Sequence, residues 1–274
     1  LLTLSGSNSY TGGTTIASGT LQLGGNAALP VGSSLALGTG STSGVLTFAG
    51  QTATLSSVSF AGTGNLVGLP AASGKLNLLA AGTAAALITV SSGSQAIHPD
   101  ATLQSDTVID VASGGLLSLH GVIDGTKSLT KIGTGTLSIL GANSYTGGSF
   151  LSGGYVNVLN TGALGSGTVT ISGDSILNLN NTILSNVVVF GSGSGAIINS
   201  GTLVNVTGTY TITAGTGSAI TTNYNVQGPA DIAFGSNLAS TIDVQSGALG
   251  VFNGDVLSAG TVEVFAGGRA QFAS

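Results

Sequence analysis

Apolar side chains recur at every second position in short runs of four to six residues, each closed by Gly, Asn or Ser-Gly. Examples are Ser34-Leu35-Ala36-Leu37, Val45-Leu46-Thr47-Phe48, Lys75-Leu76-Asn77-Leu78, Leu116-Leu117-Ser118-Leu119, Thr136-Leu137-Ser138-Ile139, Thr168-Val169-Thr170-Ile171, Ile176-Leu177-Asn178-Leu179 and Val262-Glu263-Val264-Phe265. A period of two puts alternate side chains on opposite faces of an extended chain, which is the mark of a half-buried strand. No window keeps apolar residues at i, i+3, i+4 and i+7 for three turns, and the Gly-rich interiors oppose helix formation. The chain is predicted to be all-β. Its most apolar run, Leu78 to Val90, is shorter than the roughly 18 to 20 residues of a membrane helix and is read as buried strand.

A longer period lies over the short one. Residues 2–32 align without a gap on residues 137–167 at an offset of 135, with 12 identities that include Asn8-Ser9-Tyr10-Thr11-Gly12-Gly13 over Asn143-Ser144-Tyr145-Thr146-Gly147-Gly148. Short strands, frequent turns and internal repetition favour a solenoid over a sandwich or a closed barrel. An offset of 135 divides into about six coils of roughly 22 residues, and coils stack at about 4.8 Å. The expected architecture is therefore a parallel β-helix of about twelve coils, a single unit over 1–274.

Composition sharpens this picture. Only 13 of 274 residues are charged, and Gly supplies 47, Ser 36, Thr 34 and Asn 17. The apolar share is large enough for a folded chain. With four cations and a net charge of −5 there is no basic patch for nucleic acid or an anionic membrane surface. Without Cys there is no disulfide framework and no thiolate metal site. Lacking Met and a leading signal sequence, the chain is expected to be a processed product or a fragment of a longer one.

The segment Leu129-Thr130-Lys131-Ile132-Gly133-Thr134-Gly135-Thr136-Leu137-Ser138-Ile139-Leu140-Gly141-Ala142-Asn143-Ser144-Tyr145-Thr146-Gly147-Gly148 follows L-x-K-x-G-x-G-x-L-x-L-x-G-x-N-x-Y-x-G-G. It resembles the passenger-associated repeat of bacterial autotransporters, and Leu2 to Leu23 carries the downstream half of the same motif. The resemblance covers two stretches of the chain. It implies a right-handed parallel β-helix, export through a C-terminal outer-membrane barrel that this sequence does not contain, and a cell-surface or secreted location in a Gram-negative bacterium. It also makes Asn8, Tyr10, Gly12, Gly13, Lys131, Gly133, Gly135, Asn143, Tyr145, Gly147 and Gly148 structural positions of the repeat. For Tyr10 and Tyr145 the alternative is a carbohydrate-stacking platform. Asn8 and Asn143 suit a turn, and the paired glycines suit conformations closed to other residues.

Charge is so scarce that its placement is informative. Asp100, Asp106, Asp110, Asp124, His98, His120, Lys127 and Lys131 all fall between positions 98 and 131. A step of about 22 would stack His98 on His120, and Asp106 near Lys127 or Lys131. The cluster could serve a divalent cation or acid/base cleavage of a polysaccharide, or simply form a solvated rim where His98-Pro99-Asp100 leaves the helix. Gly173-Asp174-Ser175 echoes a hydrolase nucleophile motif, but no His follows it, and a turn is the better reading. The threonines at 168, 170, 207, 209, 211 and 213 do not recur at coil spacing, against an ice-binding array.

With no catalytic set and no cofactor, the leading expectation is a non-enzymatic surface passenger acting in adhesion, self-association or biofilm. Its partners would be other copies of itself and a host or matrix surface ligand. A stalk or filament subunit stacking end to end, and a polysaccharide-cleaving enzyme using the 98–131 cluster, are the alternatives.

Overall fold

A computed structural model describes residues 1–180 except Ala72. Beyond these it describes Thr182, Leu184, Asn186, Ala266 and the strands Val188–Phe190, Ala196–Ile198, Val204–Ile212, Tyr224–Phe234, Thr241–Val244, Leu249–Asn253, Thr261–Val264 and Arg269–Ala273. There is no helix among the described residues, and the strand pairings are parallel. The chain is a β-solenoid of stacked coils.

One side of the coils is a ten-stranded sheet, here the long face. Its strands, in spatial order, are Leu2–Leu4, Gly19–Leu23, Gly44–Thr47, Leu66–Val67, Ser94–Ile97, Leu116–Leu119, Thr136–Ile139, Tyr155–Val158, Ile176–Asn178 and Ala196–Ile198. Paired residues are separated by one coil of chain: 19 residues from Leu2 to Leu21, 30 from Leu66 to Ala96, 22 from Ser94 to Leu116 and 20 from Leu116 to Thr136. Parallel pairing forces this spacing, because the chain must travel round the coil before it can lie beside itself.

The second sheet closes the other side and splits into two flanks midway. The nine-residue strand Thr52–Phe60 pairs through its first half with Lys75–Leu78 and through its second half with Ala86–Val90. Asp100–Leu103 and Ile123–Gly125 continue the first flank. The second flank continues through Thr107–Val111, Leu129–Ile132, Ser149–Leu151 and Val169–Ile171. These middle coils are therefore three-sided, and an apolar cavity of about 20 Å³ lies inside them, beside Ala101, Ile109 and Ile123.

The core is built as columns. Leu21, Leu46, Val67, Ile97, Leu119, Ile139 and Val158 stack one per coil inside the long face, all buried. Period two sends every second residue inward, and stacking removes each one's remaining apolar area from water, worth about 1.5–3 kcal/mol per fully buried side chain. Several inward positions are polar. Asn65 and Gln95 are buried but paired: the Asn65 amide donates to Gln95 Oε1 at 2.9 Å, and Gln95 Nε2 donates to the carbonyls of Gly62 at 2.8 Å and Ser92 at 2.7 Å. From Val204–Ile212 to Arg269–Ala273 a six-stranded sheet pairs in parallel at similar steps, 18 residues from Tyr224 to Ile242 and 20 from Leu249 to Arg269.

Two local expectations need correction. The run Leu78 to Val90 is not one strand: Lys75–Leu78 and Ala86–Val90 lie on different flanks, joined by an exposed loop that turns at Gly82, φ +61°. His98-Pro99-Asp100 does not leave the solenoid but turns a corner, after which Asp100–Leu103 pairs on both sides. The three-sided coils themselves were not anticipated.

Candidate functional site

The charged cluster of residues 98–131 does not converge. His98 and His120 stack at the corner between the long face and the first flank, ring centroids 4.2 Å apart. The His98 pKa is lowered, first by partial burial and then by the neighbouring imidazole. On the first flank Lys75 reaches Asp124 at 3.0 Å, both side chains being well exposed. Asp106 sits at the opposite corner, where Oδ1 accepts from the Ser128 backbone N–H and hydroxyl, each at 2.9 Å. Those bonds hold its carboxyl below the usual pKa, with a smaller contribution from Lys127. Together with Gln104 and the 79–84 loop, Asp106 and Lys127 line an open polar groove of about 260 Å³. Asp110 points outward from the middle of the second flank. A hydrolytic site would need its acid and base on one surface, whereas Asp106, Asp110 and His120 occupy three. No group of three or more His, Asp or Glu able to hold a metal ion occurs among the described residues.

Lys131 is not on a rim at all. By register it stands in the inward column Ile88, Ile109, Lys131, Leu151, Ile171 and is fully buried. Its ammonium donates to the carbonyls of Ile132 at 2.6 Å, Gly133 at 2.8 Å and Gly153 at 3.1 Å, joining the turns of two successive coils. Burial pulls its pKa down to about 8, opposed by the charge of Asp110. Asp106 and Lys131 are not brought together.

The two motif copies build the same local structure. Asn143 accepts from the Ile123 N–H at 2.7 Å and donates to the Ala163 carbonyl at 2.6 Å, so one side chain ties three coils. Asn8 donates to Ala28 in the same way at 2.8 Å. Tyr145 Oη meets Ser149 Oγ, and Tyr10 Oη meets Thr14 Oγ1, each at 2.6 Å. Tyr145 is 0% exposed, with burial raising its pKa to about 12, whereas Tyr10 on the first coil is 38% exposed. A buried Tyr145 offers no stacking platform.

The motif glycines act mainly through space rather than conformation. Of Gly12, Gly13, Gly147 and Gly148 only Gly148 has positive φ, +90°. A Cβ on Gly147 would strike the Lys127–Ser128 backbone, and one on Gly135 the carbonyl of Ala112. Gly133 needs both, with φ +73° and the Val111 carbonyl against it. Ser175 is fully buried behind the turn at Gly173, which removes it as a nucleophile. The threonines from 207 to 213 lie outside the residues whose side chains are described.

The family model described as "Passenger-associated-transport-repeat" matches residues 2–23 and 129–158. Among curated proteins, the chain is 31% identical over 102 residues to "Adhesin BmaC autotransporter" of Brucella suis biovar 1 (strain 1330). The match covers 36% of this chain, which spans about 3% of that relative's length. No solved structure matches significantly. Both copies of the motif are passenger-associated transport repeats, and the resemblance to an autotransporter passenger domain is borne out.

Proposed function

We propose that the chain is a length of a right-handed β-helical passenger, non-enzymatic, displayed at the surface of a Gram-negative cell or released from it. It would act in adhesion and self-association. The single observation that carries this reading is the dispersal of the scarce reactive groups to separate places on the coils, beside an uncharged sheet face on which Ser118, Ser138, Asn157 and Asn178 form a polar ladder over four successive coils. Such a surface binds by repetition: each coil adds the same weak contact, and many weak contacts sum. The adhesin name of the relative and the transport repeats support the same reading. We further infer that the six strands after Val204 continue the same winding, giving about twelve coils over 1–274 as one unit.

The test is gain of function. Residues 1–274 fused ahead of an outer-membrane barrel, on a non-adherent Gram-negative host, should promote settling of the cells or retention on coated matrix surfaces. Equal display with no change in either, together with turnover of a glycan by the purified chain, would reverse the assignment.

A further inference from the structure

In the ten- and twelve-stranded sheets, every formal charge on a strand lies off the long face. Lys75, Asp100 and Asp124 occupy the first flank, Asp110 and Lys131 the second, and the six-stranded sheet carries Asp231, Asp243, Glu263 and Arg269 on its strands. The ten strands of the long face contain no Asp, Glu, Lys or Arg. Its outward columns follow from the register. One runs Thr20, Val45, Leu66, Ala96, Ser118, Ser138, Asn157, Asn178, and beside it stand Leu116, Thr136, Tyr155 and Ile176.

We infer that this uncharged long face is the surface through which a second copy of the chain lies alongside the first. The inference rests on the self-association proposed above and names the face that performs it. Two copies of a chain with net charge −5 repel wherever their acids meet, and the long face is the side on which they can approach without bringing strand charges together. Three of its polar side chains are already paired along the stack: Asn178 Nδ2 donates to Asn157 Oδ1 at 3.1 Å, and Asn157 Nδ2 to Ser138 Oγ at 3.4 Å. Contact therefore strands few donors, while exposed Tyr155 and Leu159, each 47% exposed, lose water.

Area sets the strength. Nine steps of about 4.8 Å between the ten strands, by a width of about 13 Å, give roughly 560 Å² per copy, or about 1,100 Å² in all, just under the usual size of specific interfaces. A single pair should be weak, and arrays of displayed chains should hold through number. Were the occupant of this face a glycan or another protein instead, the purified wild-type chain would stay monomeric in the test below.

Two variants of equal net charge make the test. One places acids on the long face, Ser118→Asp with Asn157→Asp; the other places them on the second flank, Thr130→Asp with Thr170→Asp. Sedimentation velocity of the wild-type chain should show concentration-dependent association. The long-face variant should weaken it at least tenfold and the flank variant by less than twofold. Leu159→Lys, at the exposed corner of the face, repeats the measurement should the double variant fold poorly by circular dichroism. Loss of association in the flank variant with retention in the long-face variant overturns the choice of face and leaves self-association standing, as does an equal loss in both. A wild-type chain that stays monomeric at millimolar concentration overturns both.

Discussion

Replacing Lys131 by Met keeps the stem that fills the inward column and removes the ammonium. Three carbonyls then lose their donor; those of Gly133 and Gly153 lie in turns and accept no other hydrogen bond among the described residues. An orphaned buried acceptor costs on the order of 1–3 kcal/mol. Against this stands the relief of no longer burying a cation. A pKa moved from 10.5 to about 8 corresponds to about 3 kcal/mol at 1.36 kcal/mol per unit. Because the carbonyls are only part-buried, their cost exceeds that relief by a small margin, and Lys131→Met should destabilise by about 1 kcal/mol at pH 7.

The pH dependence separates the two terms. Because the folded pKa is depressed, the folded chain binds fewer protons than the unfolded one between pH 8 and 10.5, so wild-type stability rises with pH through that window. The gain from pH 7 to 10 should be about 2–3 kcal/mol, absent in Lys131→Met. Above pH 10 the raised Tyr145 pKa acts oppositely, and its contribution is lost as pH climbs towards 12. Urea unfolding followed by far-ultraviolet circular dichroism at pH 7, 8, 9 and 10 reads the effect. A Met variant as stable as wild type at pH 7, with a flat wild-type profile up to pH 10, would falsify the buried-cation reasoning.

Asn143→Ala strips partners from the Ile123 N–H and the Ala163 carbonyl, and should cost about 2–4 kcal/mol in urea unfolding; a loss under 1 kcal/mol would mean that water replaces the amide. Tyr145→Phe should lower stability by about 1 kcal/mol and Tyr10→Phe by much less, since only the first hydroxyl is buried; equal effects would contradict the packing. The depressed His98 pKa favours the neutral ring in the folded chain, so a small stabilisation present above pH 6.5 should fade as pH falls below it, and His98→Gln should remove that fading. Ala101→Val, filling part of the 20 Å³ cavity, should raise stability by up to about 0.5 kcal/mol; a lower melting temperature would show that the space is already closed.

Strand positions and the coil repeat were legible because a period of two and bounding glycines write directly into the sequence: Lys75–Leu78, Leu116–Leu119 and Thr136–Ile139 fall where the alternation puts them. The inward orientation of Lys131 was not read although its signal was present. It shares parity with Leu129, and parity decides which side of a strand a residue takes, so its inward position follows from the pattern once charge is not assumed to face water. Asn65 and Gln95 share parity with Val67 and Ile97 in the same way. The first flank was not legible, because its short strands and the 79–85 loop interrupt the spacing, and a coil of 30 residues hides in an average of about 22. The dispersal of the 98–131 cluster follows from the same geometry: neighbours in sequence travel round a coil to different sides, and only residues one coil apart, such as His98 and His120, meet.

The central claim is that this solenoid works through its surface and not through a catalytic centre. Cells of a non-adherent Gram-negative strain displaying residues 1–274 at matched density provide the most direct measurement, by their settling rate and by retention on host or matrix coatings. The account predicts faster settling or retention that survives Asp106→Asn with His120→Gln and falls when acids are placed on the long face. Settling and retention unchanged by display, or abolished by the Asp106 and His120 changes while the long-face acids leave them intact, would contradict it.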